Sequence, residues 1–131
     1  MKVPRTAPAI SEAEWDVMNA LWEHSPVSVT ELAEKLAPAK KWHPKTVRTM
    51  LNRLQRKGAV DHRMIDGMYH YYPIVTQEHC TRRATESFID RVFGGSFTPM
   101  VAQLVHRRPL TAQEKRELRR LLDDPKSERG R

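Results

Sequence analysis

Asp66 and Gly67 stand between two extended runs, Val60 to Ile65 and Met68 to Pro73, and no other feature constrains the chain as strongly. Both residues tolerate positive φ, which a two-residue type I′ hairpin requires. The turn then fixes the register. Ile65 faces Met68, so Val60, His62, Met64, Tyr69 and Tyr71 share one face, while Arg63, Ile65, Met68, His70 and Tyr72 share the other. The first face is expected to lie against a core, which places Tyr69 and Tyr71 on helices rather than on single-stranded bases.

Three helical segments precede the hairpin. Ser11 and Glu14 form a capping box, with Ile10 and Trp15 as its hydrophobic staple, so a helix is expected from Glu12 with Trp15, Met18, Leu21 and Trp22 inward. Ser28 and Glu31 repeat the box with Val27 and Leu32, giving a second helix to about Ala37 that buries Leu32 and Leu36. Pro44 suits the first position of a third helix and Gly58 the position just past its end. Between them Val47, Met50, Leu51 and Leu54 follow the spacing of a buried stripe. Three short helices and a hairpin, in that order, predict a winged helix-turn-helix whose third helix enters a major groove.

Past the hairpin, Thr76 caps a long helix to about Phe93, stopped by Gly94 and Gly95. A short helix is expected around Pro99, and Thr111 with Glu114 opens a last one. These segments carry Phe88, Ile89, Val92, Phe93, Met100, Val101, Leu104, Val105, Leu118, Leu121 and Leu122. That is more apolar surface than such elements bury alone, so pairing with a second chain about a twofold axis is expected in preference to folding back on the same chain. The expected fold is mainly α with a small β-hairpin. It comprises a flexible arm (1–9), a winged-helix DNA-binding domain (10–75), a helical dimerisation domain (76–123) and a disordered tail (124–131).

Charge agrees with this layout. The 131 residues carry a formal net charge of +7, which favours a polyanionic partner. From position 40 to 63 the basic residues Lys40, Lys41, Lys45, Arg48, Arg53, Arg56, Lys57 and Arg63 are opposed only by Asp61. Recognition helices present their N-terminal residues to base edges, so Lys45, Thr46, Arg48, Thr49 and Asn52 are the candidate readers. Arg48 suits a guanine and Asn52 an adenine. Lys40, Lys41, Arg53, Arg56 and Lys57 are expected on phosphates, and Arg63 with His70, paired across the wing, on backbone or a minor groove.

Other classes of function find little support. Cys80 is the only cysteine, so neither a disulfide nor a thiolate cluster can form, and its place on an apolar seam makes it a packed thiol rather than a nucleophile. His62 and His70 fall on opposite hairpin faces, and His79 and Cys80 diverge by about 100° on a helix, so no metal site or cofactor is expected. Nucleotide-binding glycine loops are absent, and no apolar run reaches signal-peptide or membrane-spanning length. A cytoplasmic, non-enzymatic DNA binder is expected. A winged-helix module docking on protein or RNA, and a sequence-independent nucleoid-type binder, remain the alternatives.

The segments ISEAEWDVMNALW, WHPKTVRTMLNRLQRKGAV and MYHYYP closely resemble the penicillinase-repressor family, the BlaI/MecI/CopY transcriptional regulators, over about residues 8–123. The resemblance implies a winged-helix domain, a C-terminal dimerisation domain and repression of β-lactam-resistance or related stress genes from inverted-repeat operators. By position, His43, Lys45, Thr46, Arg48 and Thr49 match the family's recognition-helix segment; many relatives have serine where this chain has His43. In the β-lactam-responsive branch a membrane sensor-transducer signals the drug, and the repressor is cut within its dimerisation domain. The matching stretch here is 100–104, with Gln103 and Leu104 in place of an Asn-Phe pair. The copper branch's C-terminal cysteine cluster is absent.

Overall fold

The structure is a computed structural model and describes residues 7–124. Its elements are α1 (Glu12–Glu23), β1 (Val27–Ser28), α2 (Val29–Leu36), α3 (Pro44–Arg56), β2 (Val60–Ile65), β3 (Met68–Pro73), α4 (Gln77–Phe93), α5 (Phe97–Arg107) and α6 (Ala112–Asp123). The chain divides into two compact units between Ser87 and Phe88.

The first unit is a winged helix-turn-helix. Ser11 and Ser28 each accept from the backbone N–H three residues on, while Glu14 and Glu31 each accept from the cap's N–H, so both expected capping boxes are formed. Pro44 occupies the first turn of α3. That helix ends in a Schellman motif: Gly58, at φ 81°, sends its N–H to Gln55 O, and Ala59 sends its N–H to Leu54 O. Val17, Met18 and Leu21 of α1 meet Leu32 and Leu36 of α2 and Val47, Met50, Leu51 and Leu54 of α3 in one core, closed by Val60 and Tyr71 from the sheet. Each such side chain contributes about 2 kcal/mol through burial, and this ordered core is what holds α3 in place.

The wing follows the expected register, Ile65 opposite Met68, with Asp66 at φ 51° and Gly67 at φ 79°. It is not a two-stranded element. Val27 and Ser28 pair antiparallel with Tyr71 and His70, making a three-stranded sheet in the order β1-β3-β2. A two-residue strand leaves no alternation to read and forms only because β3 is there to pair with it.

Three more expectations change. Ala7, expected in the arm, is buried in the core; positions 1–6 of that arm lie outside the described residues. Cys80 is also buried in the first unit's core, so α4 starts within the winged-helix unit rather than opening the next one at position 76. Desolvation holds the Cys80 thiol above its ordinary pKa, as suits a packing residue. Finally, α5 begins at Phe97, two residues before Pro99, which its first turn accommodates.

The second unit holds the end of α4 together with α5 and α6. Glycines with positive φ, Gly94 and Gly95, stop α4 as expected. Thr111 and Glu114 box the start of α6 in the predicted way. Among the described residues neither α5 nor α6 buries a single side chain. Of the predicted tail, 124–131, Asp124 caps the end of α6 and positions 125–131 lie outside the described residues.

Candidate nucleic-acid interface

The buried stripe of α3 turns the opposite face outward. Lys45, Thr46, Arg48, Thr49, Asn52, Arg53 and Arg56 are all exposed on it, and the Thr49 hydroxyl donates to Lys45 O at 3.0 Å within the helix. His43 caps the helix in place of a serine: its Nδ1 accepts from the Lys45 N–H at 3.0 Å. That acceptor exists only on neutral imidazole, with the proton on Nε2.

Arg48 and Asn52, one turn apart, open onto a cleft of about 380 Å³ that is also lined by Thr30 at the start of α2 and by Met68 and Tyr69 of the wing. Three elements therefore converge beside the predicted readers. Tyr69 was expected in the core and is 53% exposed, as is Met64 on the same face at 58%. The reason is length: a six-residue strand spans about 20 Å, twice the width of a helix, so only the base of the wing is covered. Tyr71 near that base is buried and Tyr69 near the tip is not. Strand length against helix width is the signal that could have placed Tyr69 at this cleft.

The wing is tied to α3. Gln55 Nε2 donates to Asp61 Oδ1 at 3.3 Å, Gln55 Oε1 lies 3.0 Å from His62 Nδ1, and the His62 ring stands edge-on to Tyr69 with centroids 4.4 Å apart. Gln55 thus holds His62, and His62 packs against Tyr69 of the cleft wall, contacts absent from the sequence reading.

The basic residues do not all stand free for phosphate. Lys41 is exposed in the loop before α3. Lys40 lies 3.9 Å from Asp16 Oδ2 and 5.9 Å from the centroid of Trp42. Lys57, expected on phosphate, instead donates to the fully buried carboxylate of Glu14 and, at 2.8 Å, to Ala9 O. On the wing, the Arg63 guanidinium lies 5.5 Å from the Tyr72 ring and is exposed. His70, expected outward beside it, has a side chain only 15% exposed, with Nε2 3.6 Å from Glu31 Oε1 and Nδ1 3.0 Å from Met68 O. The pairing of β1 with β3 brings His70 opposite Ser28, beside the capping box of α2.

The predicted dimerisation residues fall on the second unit. Ile89, Phe93, Met100, Val101 and Val105 are half-buried, while Phe88, Val92, Leu104, Leu118, Leu121 and Leu122 are exposed, Leu122 at 69%. Phe97, absent from the sequence reading, adds an exposed ring to the set. Gln103 and Leu104 lie inside α5. Among the described residues no helix is long and apolar enough to cross a membrane.

The model of the family described as penicillinase repressor matches residues 10–124. The chain is 34% identical over 114 residues to the methicillin resistance regulatory protein MecI of Staphylococcus aureus (strain N315), covering 87% of this chain and 93% of that protein. It is 32% identical over 120 residues to the penicillinase repressor of Bacillus licheniformis, covering 92% and 94% respectively. Among solved structures, that of the DNA-binding domain of the repressor BlaI is 36% identical, with a TM-score of 0.49 over 60% of this chain and 90% of that one. With a family model that spans nearly the whole chain, from the first capping box to the end of α6, this chain belongs to the penicillinase-repressor family of transcriptional repressors.

Proposed function

We infer that the chain represses transcription as a homodimer bound to an inverted-repeat operator, with α3 in the major groove of each half-site. The observation that carries this reading is the exposed face of α3, where Lys45, Arg48, Asn52, Arg53 and Arg56 stand beside the wing with no acidic side chain on that face of the helix. Arg48 and Asn52 read bases; Lys41, Arg53 and Arg56 hold phosphates; Lys57, engaged with Glu14, is left out of that set. Dimerisation is supported by helices that bury no side chain of their own. A twofold axis through them repeats α3 on one face of DNA at a spacing of about 34–36 Å or its multiples.

Relatives named for methicillin resistance and penicillinase support control of β-lactam-resistance or related stress genes. A membrane sensor-transducer and a protease acting on the second unit complete that reading. Cutting between Gln103 and Leu104 requires local unwinding, because that bond lies within the hydrogen-bonded turns of α5. No catalytic role is assigned to the chain itself.

Fluorescence anisotropy with duplex DNA from the chain's own upstream region, against random duplex of equal length, tests the proposal. Upstream DNA should bind in preference, and log K should fall with log salt by about 0.9 per phosphate neutralised. Equal affinity for both duplexes assigns the chain to sequence-independent binders. A monomer without DNA affinity makes it a docking module for protein or RNA.

A further inference from the structure

The first turns of α1 and the loop between α2 and α3 border a second, open cleft of about 620 Å³, lined by Glu12, Ala13, Trp15, Asp16, Lys40 and Trp42. Its volume lies in the range of small-molecule sites. Two half-buried indoles and two carboxylates meet here, on a chain whose charge is otherwise strongly positive. Indole faces attract cations through the ring quadrupole and carboxylates attract them by charge, so both kinds of wall select the same ligand. We propose that this cleft binds a small organic amine or quaternary ammonium ion, held between Asp16 and the Trp42 ring with Trp15 as apolar wall.

The chain already places a cation there. The Lys40 ammonium lies 5.9 Å from the Trp42 centroid and 3.9 Å from Asp16 Oδ2. Both distances are at the outer edge of the range over which such contacts act, and the Lys40 side chain is 46% exposed. The tethered ammonium is therefore a weak occupant that a ligand amine displaces, adding contact with both indoles in space the lysine leaves open. Trp42 is followed at once by His43, the cap of α3, so the ligand sits at the entry to the recognition helix.

Tryptophan fluorescence of the full chain, titrated with choline and with its uncharged isostere in which a tert-butyl group replaces the trimethylammonium, tests this directly. Choline should quench saturably and the isostere should not. Lys40→Ala removes the internal competitor and should tighten choline binding about three- to tenfold, because the ligand no longer has to displace it. Asp16→Asn should weaken binding several-fold. An isostere that titrates like choline, a Lys40→Ala protein that binds no more tightly than wild type, or the absence of saturable quenching overturns the proposal.

Discussion

The Lys57 ammonium is hydrogen-bonded to the Glu14 carboxylate, joining the C-terminal cap of α3 to the third residue of α1, 43 positions away in the chain. Burial alone raises the Glu14 pKa, but Lys57 and the Ser11 N–H outweigh it, and the carboxyl ends below its ordinary value. Among the described residues Glu14 Oε2 has no hydrogen-bond partner, so the site depends on Lys57 for compensation.

Lys57→Met therefore strands a buried carboxylate and should lower stability by about 2 to 3 kcal/mol in urea unfolding at neutral pH, less than for a wholly buried pair because the lysine is one-third exposed. Because the Glu14 pKa is depressed in the fold, its contribution is complete above the unfolded carboxyl's pKa and disappears as pH falls through the folded value. Wild type should thus lose stability on acidification below about pH 4.5, and Lys57→Met should lose less over that window. If Lys57→Met changes DNA affinity and leaves stability intact, the lysine is a phosphate contact after all.

His43 occupies the cap of α3 by lending Nδ1 to the Lys45 N–H. His43→Ala should cost about 1 kcal/mol in thermal unfolding, and His43→Ser should recover most of it. Equal stability for the alanine and serine variants would show that the ring does not cap.

In the second unit Arg108 and then the Thr111 N–H hold the Glu114 carboxyl down to about 2. Its capping of α6 is complete above the unfolded carboxyl's pKa and is lost as pH falls through about 2. Carboxyl carbon NMR of Glu114 should titrate near that value in wild type and move up toward 4.5 in Arg108→Ala. A wild-type midpoint at 4.5 removes the ion pair from the account.

Leu104 and Leu122 are among the most exposed large apolar side chains of the second unit. Leu104→Glu with Leu122→Glu should sediment near 15.3 kDa, and wild type should sediment near twice that mass. The near-UV spectrum should stay unchanged, since the three tryptophans all lie in the first unit. A wild-type chain sedimenting near 15.3 kDa contradicts the dimer.

Much of this architecture is legible in the chain because its signals are local. The three capping boxes, at Ser11, Ser28 and Thr111, act over three residues, and the Asp66-Gly67 turn over two; each forms as the sequence predicts. What escaped is decided by distant partners. Lys57 finds Glu14 across 43 positions, Ala7 finds a core that does not exist locally, and β1 exists only once β3 is beside it. His70 and Tyr69 share this cause. Strand alternation predicts the face of each residue, but whether that face is covered depends on where α2 ends up and on how far the wing outreaches the helices.

The central claim is that α3 reads sequence through Arg48 while the loop before it grips backbone through Lys41. Anisotropy titrations of wild type, Arg48→Ala and Lys41→Ala against upstream and random duplexes test it most directly. Arg48→Ala should lose about 1–3 kcal/mol on upstream DNA and little on random DNA, so that the ratio of affinities collapses. Lys41→Ala should weaken both duplexes alike, leave the ratio unchanged and reduce the salt slope by about one phosphate. Equal losses of discrimination in the two variants, or none in Arg48→Ala, would contradict the account.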